Sequence, residues 1–182
     1  MGMIFQEASR NSPQLSGPPI RIEFRPELTT WRGKLLSKED RGQPIHATSF
    51  LPQRLIVFES ELLNDWSELS RILVHELFHF AWVRLGNPLR FSYEELLQSE
   101  WKSRARGELG WSAEWRKEKL SDSDVTTRSR KWRAYVVESF CDTAAFLYSD
   151  CRQHPEFTLR NRWSNRRIQW MSGIFRDRPV FI

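Results

Sequence analysis

The sequence predicts an α+β fold in which a small N-terminal mixed β-sheet comes first and helices follow, and two observations carry that expectation. Strand-type patterns are confined to the early part of the chain. Residues 20–24 alternate, residues 45–50 form a second candidate strand, and residues 54–59 read RLIVFE, an apolar run suited to a buried strand. From about residue 65 onward, apolar side chains recur at helical spacing between Ser, Asp, Asn and Gly residues of the kind that open and close helices.

A chain of 182 residues is long enough for one domain with a core, and nine tryptophans with twelve phenylalanines make that core aromatic. The domain is expected to span residues 20–182. Ahead of it, residues 1–19 contain Ser12-Pro13, Ser16-Gly17 and Pro18-Pro19 and have no basic start with an apolar stretch behind it, so they read as a flexible tail and not a signal peptide. Mean hydropathy is −0.59, and no apolar run approaches the ~20 residues that span a bilayer, so no membrane partner is expected. Cys141 and Cys151 have no zinc-type spacing and are expected to be reduced thiols of a cytoplasmic protein.

Asn64 or Asp65 caps the first long helix, which should run to about Leu85 before Gly86 and Pro88 stop it. Residues 86–127 then read as a helical insertion. Ser92 and Glu95 make a capping box opening a helix over 92–106, Gly107 and Gly110 end it, Ser112 opens another to Lys119, and 121–127 is a polar loop. A further helix follows around residues 132–147. Residues 158–175 form an amphipathic closing helix, apolar at Leu159, Trp163, Ile168, Met171 and Ile174, with Arg160, Arg162, Arg166 and Arg167 on its other side. The net charge of +5 and pI near 9.6 permit a nucleic-acid partner, but such a run is ordinarily a solvated face, and nucleic acid is not expected.

The chemistry sits in the first long helix, at His75-Glu-Leu-Phe-His79. Histidines four residues apart lie one above the other on a helix and can take adjacent vertices of a tetrahedral Zn²⁺. Glu76 is turned by about 100° from His75, out of the ligand pair but beside the remaining coordination position. A carboxylate there can accept the proton of a water activated by the metal. The flanks, Ile72, Leu73 and Val74 before and Leu77, Phe78, Phe80 and Ala81 within and after, make the helix apolar almost all round and therefore buried. Two histidines and a glutamate buried in it need partners, and a metal ion supplies them.

These residues resemble the zincin metallopeptidases, whose motif is HExxH with uncharged neighbours. The resemblance implies Zn²⁺ as cofactor, hydrolysis of peptide bonds in a peptide or protein substrate, and Glu76 as general base. The metzincin branch is excluded, because its glycine and third histidine would fall at Trp82 and Leu85. No histidine lies between residues 80 and 153, which also counts against the SprT-like DNA-repair proteases. The run Glu138-Ser-Phe-Cys-Asp142 is similar to the gluzincin pattern Glu-x-x-x-Asp of thermolysin-like enzymes, here in a single-domain form. That likeness implies Glu138 as third zinc ligand and Asp142 as the acceptor that orients His75. Their helix carries an apolar stripe through Trp132, Val136, Phe140, Thr143 and Leu147, so carboxylates beside it need something to coordinate.

Glu138 lies 59 residues after His79, farther than in thermolysin-like enzymes, so the segment between must be an insertion, one that could roof or border the cleft, and Glu94, Glu95, Glu100 and His154 are rival third ligands. For the oxyanion of such a reaction Tyr135, Tyr148 and His154 are the candidate donors. The family likeness further implies that residues 45–50 form the edge strand along which an extended peptide aligns. The alternatives that the same motif allows are a regulatory metalloprotein of the ImmA/IrrE type, acting on one protein partner, and a DNA-associated protease.

Overall fold

The structure is a computed structural model that describes residues 13–176 and 178–182. It has mixed α+β architecture, with the sheet early in the chain and the helices after it. Most of the tail expected over residues 1–19 lies outside the described residues. Its later part is held rather than loose: β1 (Leu15–Ser16) pairs in parallel with β8 (Val180–Phe181) near the other end of the chain.

Three strands form the sheet that positions the site. β2 (Arg21–Arg25) runs parallel to β7 (Leu55–Glu59), and β6 (Ala47–Phe50) pairs antiparallel to β7 on the other side, with Ser49 opposite Ile56. The order β2-β7-β6 puts the apolar run Ile56, Val57 and Phe58 in the centre, fully buried, and leaves β6 at an edge. Each such side chain contributes roughly 1.5–3 kcal/mol by leaving water. A second small sheet, absent from the sequence expectation, is a hairpin of β3 (Leu28–Trp31) and β4 (Lys34–Ser37) with β5 (Gln43–Pro44) along its other edge.

After a 3-10 turn at Ser60–Asn64 comes α1 (Trp66–Arg84). Asp65 caps it, its carboxylate accepting from the Glu68 amide at 3.0 Å. The helix is buried from Leu69 through Phe78 and again at Phe80 and Ala81. Its Leu69, Ile72, Leu73 and Leu77 pack on the sheet, while Val74, Phe78 and Ala81 pack on the helices behind it.

The insertion differs in detail from expectation. α2 (Asn87–Lys102) starts five residues before Ser92, because Pro88 is tolerated in a first helical turn, where its missing N–H has no partner to lose. The hydroxyl of Ser92 is inside that helix and donates to the Leu89 carbonyl at 3.0 Å instead of capping. α3 (Trp111–Lys117) is capped by Gly110, and the expected polar loop contains a short helix, α4 (Asp122–Thr126), held by a Ser121–Asp124 capping box. α5 (Arg130–Tyr148) starts at the Ser129 cap and packs its Val136, Phe140 and Ala144 against α1 and against Met171 and Phe175 of α6 (Asn161–Phe175).

One arginine of α6 corrects the solvated-face reading. Arg167 is fully buried, 2.6 Å from Glu100 on α2 and 2.6 Å from Glu108 in the connection to α3. Among the described residues no helix is long and apolar enough to cross a membrane.

Candidate metal centre

α1 and α5 face each other across the site. His75 and His79 stand one turn apart on α1 with ring centroids 5.0 Å apart. From α5, Glu138 places Oε2 3.3 Å from His75 Nε2 and 3.9 Å from His79 Nε2. Three ligands arranged tetrahedrally around zinc have donor atoms roughly 3.3 Å apart. The carboxylate oxygen therefore stands at that spacing from His75 and about 0.6 Å beyond it from His79.

Asp142 orients His75. Its Oδ1 lies 2.8 Å from His75 Nδ1, leaving Nε2 to face Glu138, and its Oδ2 accepts the Ala113 amide of α3 at 3.0 Å. Gly110 lies so close that a Cβ there would fall on the Asp142 carboxylate. Burial opposes a proton on His75, but Asp142 and Glu138 outweigh it and hold the imidazole well above its ordinary value. Burial lowers His79. Glu138 is pushed up by burial but pulled down further by His75, His79 and Arg116, to about 2. A divalent cation between Nε2 and Oε2 would replace the proton that His75 otherwise shares with Glu138.

Two neighbours of this centre were not expected from sequence. Arg116 of α3 stands 3.1 Å from Glu138 Oε1, which leaves Oε2 to the histidines. Cys141, one turn beyond Glu138, is fully buried, with its Sγ and ligand nitrogens of His75 and His79 all within 4.8 Å of one another. Burial, then Glu138, Asp142 and Glu76, hold its thiol well above the ordinary range. For Cys141 the signal was present in its i+3 spacing from Glu138, which puts both on the α1-facing side of α5. Arg116 had none.

Glu76 is buried beside the pair, and the Ser49 hydroxyl of β6 donates to its Oε2 at 2.5 Å. The edge strand thus reaches Glu76 directly. A cleft of about 450 Å³ opens here, lined by Ile45, Ala47, Ile72, His75, Glu76 and Trp111, so that α3 borders it as the insertion was expected to do.

The expected oxyanion donors are not brought to the centre. Tyr135 is buried and donates to Glu108 Oε1 at 2.7 Å, on the side of α5 facing Arg167. Tyr148 stacks on Phe78 and lines a separate apolar cavity of about 530 Å³ with Leu73 and Leu77, which His75, Glu76 and His79 do not line. His154 sits against Glu68, two turns before His75, with Nε2 3.4 Å from that carboxylate, and it is not the third ligand. The other rivals are also committed or turned away. Glu94 holds Arg128, Glu100 holds Arg167, and Glu95 is exposed.

Compared with known proteins, the chain matches no family model, no curated protein and no solved structure.

Proposed function

We propose that the chain is a zinc-dependent peptidase of gluzincin-like design. The observation that carries this reading is the convergence of Glu138 Oε2 on both motif histidines, with Asp142 bonded to the far nitrogen of His75. His75, His79 and Glu138 would hold the ion. Zinc bound by three protein ligands polarises a carbonyl and lowers the pKa of a coordinated water to about 7.

The protein residues divide the remaining work. Glu76, aimed by Ser49, takes the proton of the attacking water and returns it to the leaving amine. Asp142 keeps His75 in the tautomer that presents Nε2. The outer edge of β6 has backbone groups not paired with β7, and an extended peptide can add there as a further strand beside Glu76. With the tyrosines committed elsewhere, the Arg116 guanidinium, 25% exposed beside Glu138, is the donor we assign to the developing oxyanion.

Incubation of the zinc-loaded protein with a mixed peptide library tests the reading, with Glu76→Gln as the control. New N-termini should appear for the wild type and not for the variant, which keeps its metal. Cleavage that persists in Glu76→Gln would remove Glu76 from the base role. Zinc binding with no cleavage of any library peptide would favour a partner-specific regulatory protein instead.

A further inference from the structure

The face that α5 turns toward α1 carries three potential ligands within one turn. Glu138, Cys141 and Asp142 fall within an arc of about 100° on a helix of 3.6 residues per turn. Asp142 is fully engaged, by His75 at 2.8 Å and by the Ala113 amide at 3.0 Å. Glu138 is shared between the histidines and Arg116. Cys141 differs from both, since among the described residues its Sγ has no hydrogen-bond partner.

A buried cysteine that only fills space needs no partner, because it behaves as a small hydrophobe. Its neighbours make this one different. The sulfur shares a 4.8 Å cluster with ligand nitrogens of both motif histidines, inside a helix interface where it is 0% exposed. Tetrahedral zinc holds sulfur at about 2.3 Å and imidazole nitrogen at about 2.1 Å, which puts N and S roughly 3.6 Å apart. The 4.8 Å that bounds every separation in the cluster exceeds that spacing by only about 1 Å, so the sulfur stands close to ligand distance of the two imidazoles.

Resting on the reading of this centre as a zinc site, we propose that Cys141 is a fourth, sulfur ligand of the ion held by His75, His79 and Glu138. Ligation exchanges the S–H bond for an S–metal bond, and the proton leaves to solvent. Four protein ligands make a closed site, whereas hydrolytic zinc keeps one position open. The resting protein is therefore slowed, not silenced, because water or substrate competes with the sulfur for that position. Cys141 must leave the ion before a water or a substrate carbonyl takes its place.

Cobalt(II) in place of zinc reads the sulfur directly. The full chain, freed of metal and titrated with Co²⁺ alone, should show the visible d–d bands of a tetrahedral ion together with a near-ultraviolet sulfur-to-cobalt charge-transfer band. Cys141→Ala should keep the visible bands and lose the charge-transfer band, and its zinc form should hydrolyse peptides faster than the wild type. Cys151→Ala should change neither band, since Cys151 is outside the cluster. Tetrahedral d–d bands without charge transfer in the wild type would overturn the sulfur ligand and leave the metal centre standing. Absence of any Co²⁺ spectrum would overturn both the inference and the zinc reading beneath it.

Discussion

His75 and Asp142 meet at 2.8 Å between Nδ1 and Oδ1, and this contact joins the motif helix to α5 and, through the Ala113 amide on the other carboxylate oxygen, to α3. One side chain thus ties together segments 67 and 29 residues apart. It also fixes which nitrogen of His75 is left for a metal.

Replacing Asp142 by Asn should weaken zinc binding or activity by roughly 10- to 100-fold, the usual cost of losing a carboxylate behind a ligand histidine. Replacing Glu138 by Ala should cost more, since it removes a donor that stands 3.3 Å and 3.9 Å from the two Nε2 atoms. Competition with a calibrated chelator measures both. Equal losses for the two variants would contradict the different roles given to them.

Gly110 matters because of what lies against it. Its φ of 179° is ordinary extended backbone, so strain is not the issue; the space a Cβ needs is already filled by the Asp142 carboxylate. Gly110→Ala should displace that carboxylate, destabilise the fold by about 1–3 kcal/mol as overpacking does, and lower zinc affinity in the same direction as Asp142→Asn. Thermal melts with and without zinc separate the two effects. Gly33, which meets nothing within 4 Å, provides a control position with no such contact, although its φ of +76° adds backbone strain of its own.

How much of this was visible in the sequence depends on how local each feature is. The motif helix, its Asp65 cap and its burial all follow from residues 65–85, and the pairing of Glu138 and Asp142 follows from their spacing. The strands β3 to β5 were missed because LTTW, KLLS and QP are short and hold little apolar alternation. Arg167 was placed with the surface arginines by charge, yet it is four residues from both Trp163 and Met171 and so lies on the buried stripe. Its partners, Glu100 and Glu108, come from other elements, and nothing in α6 announces them. The same holds for Arg116 and Gly110 at the metal centre, whose contacts exist only once α3 has packed on α5.

That buried cluster predicts the acid limb of stability. Burial raises the Glu108 carboxyl, but Arg167 and Lys117 pull it down further, to about 2 from an ordinary 4.5. Because its folded value is depressed, Glu108 contributes stability that is fully present above about pH 4.5 and is lost as the pH falls toward 2. Glu108→Gln should flatten the loss of stability in that window and, by leaving Arg167 short of a partner, cost about 3–5 kcal/mol near neutrality. Urea melts across the acid range are the measurement. A variant as stable as the wild type at neutral pH would show that the pair contributes nothing.

The central claim is that α1 and α5 together hold a zinc ion. Zinc content and zinc titration of the purified full chain test it most directly, alongside His79→Ala and Glu138→Ala. The account predicts one zinc per wild-type chain, a melting temperature raised by the metal, no retained zinc in His79→Ala and severely weakened binding in Glu138→Ala. A wild-type protein that carries no zinc and takes none up after metal removal, or a His79→Ala variant that binds it as tightly as the wild type, would contradict the account.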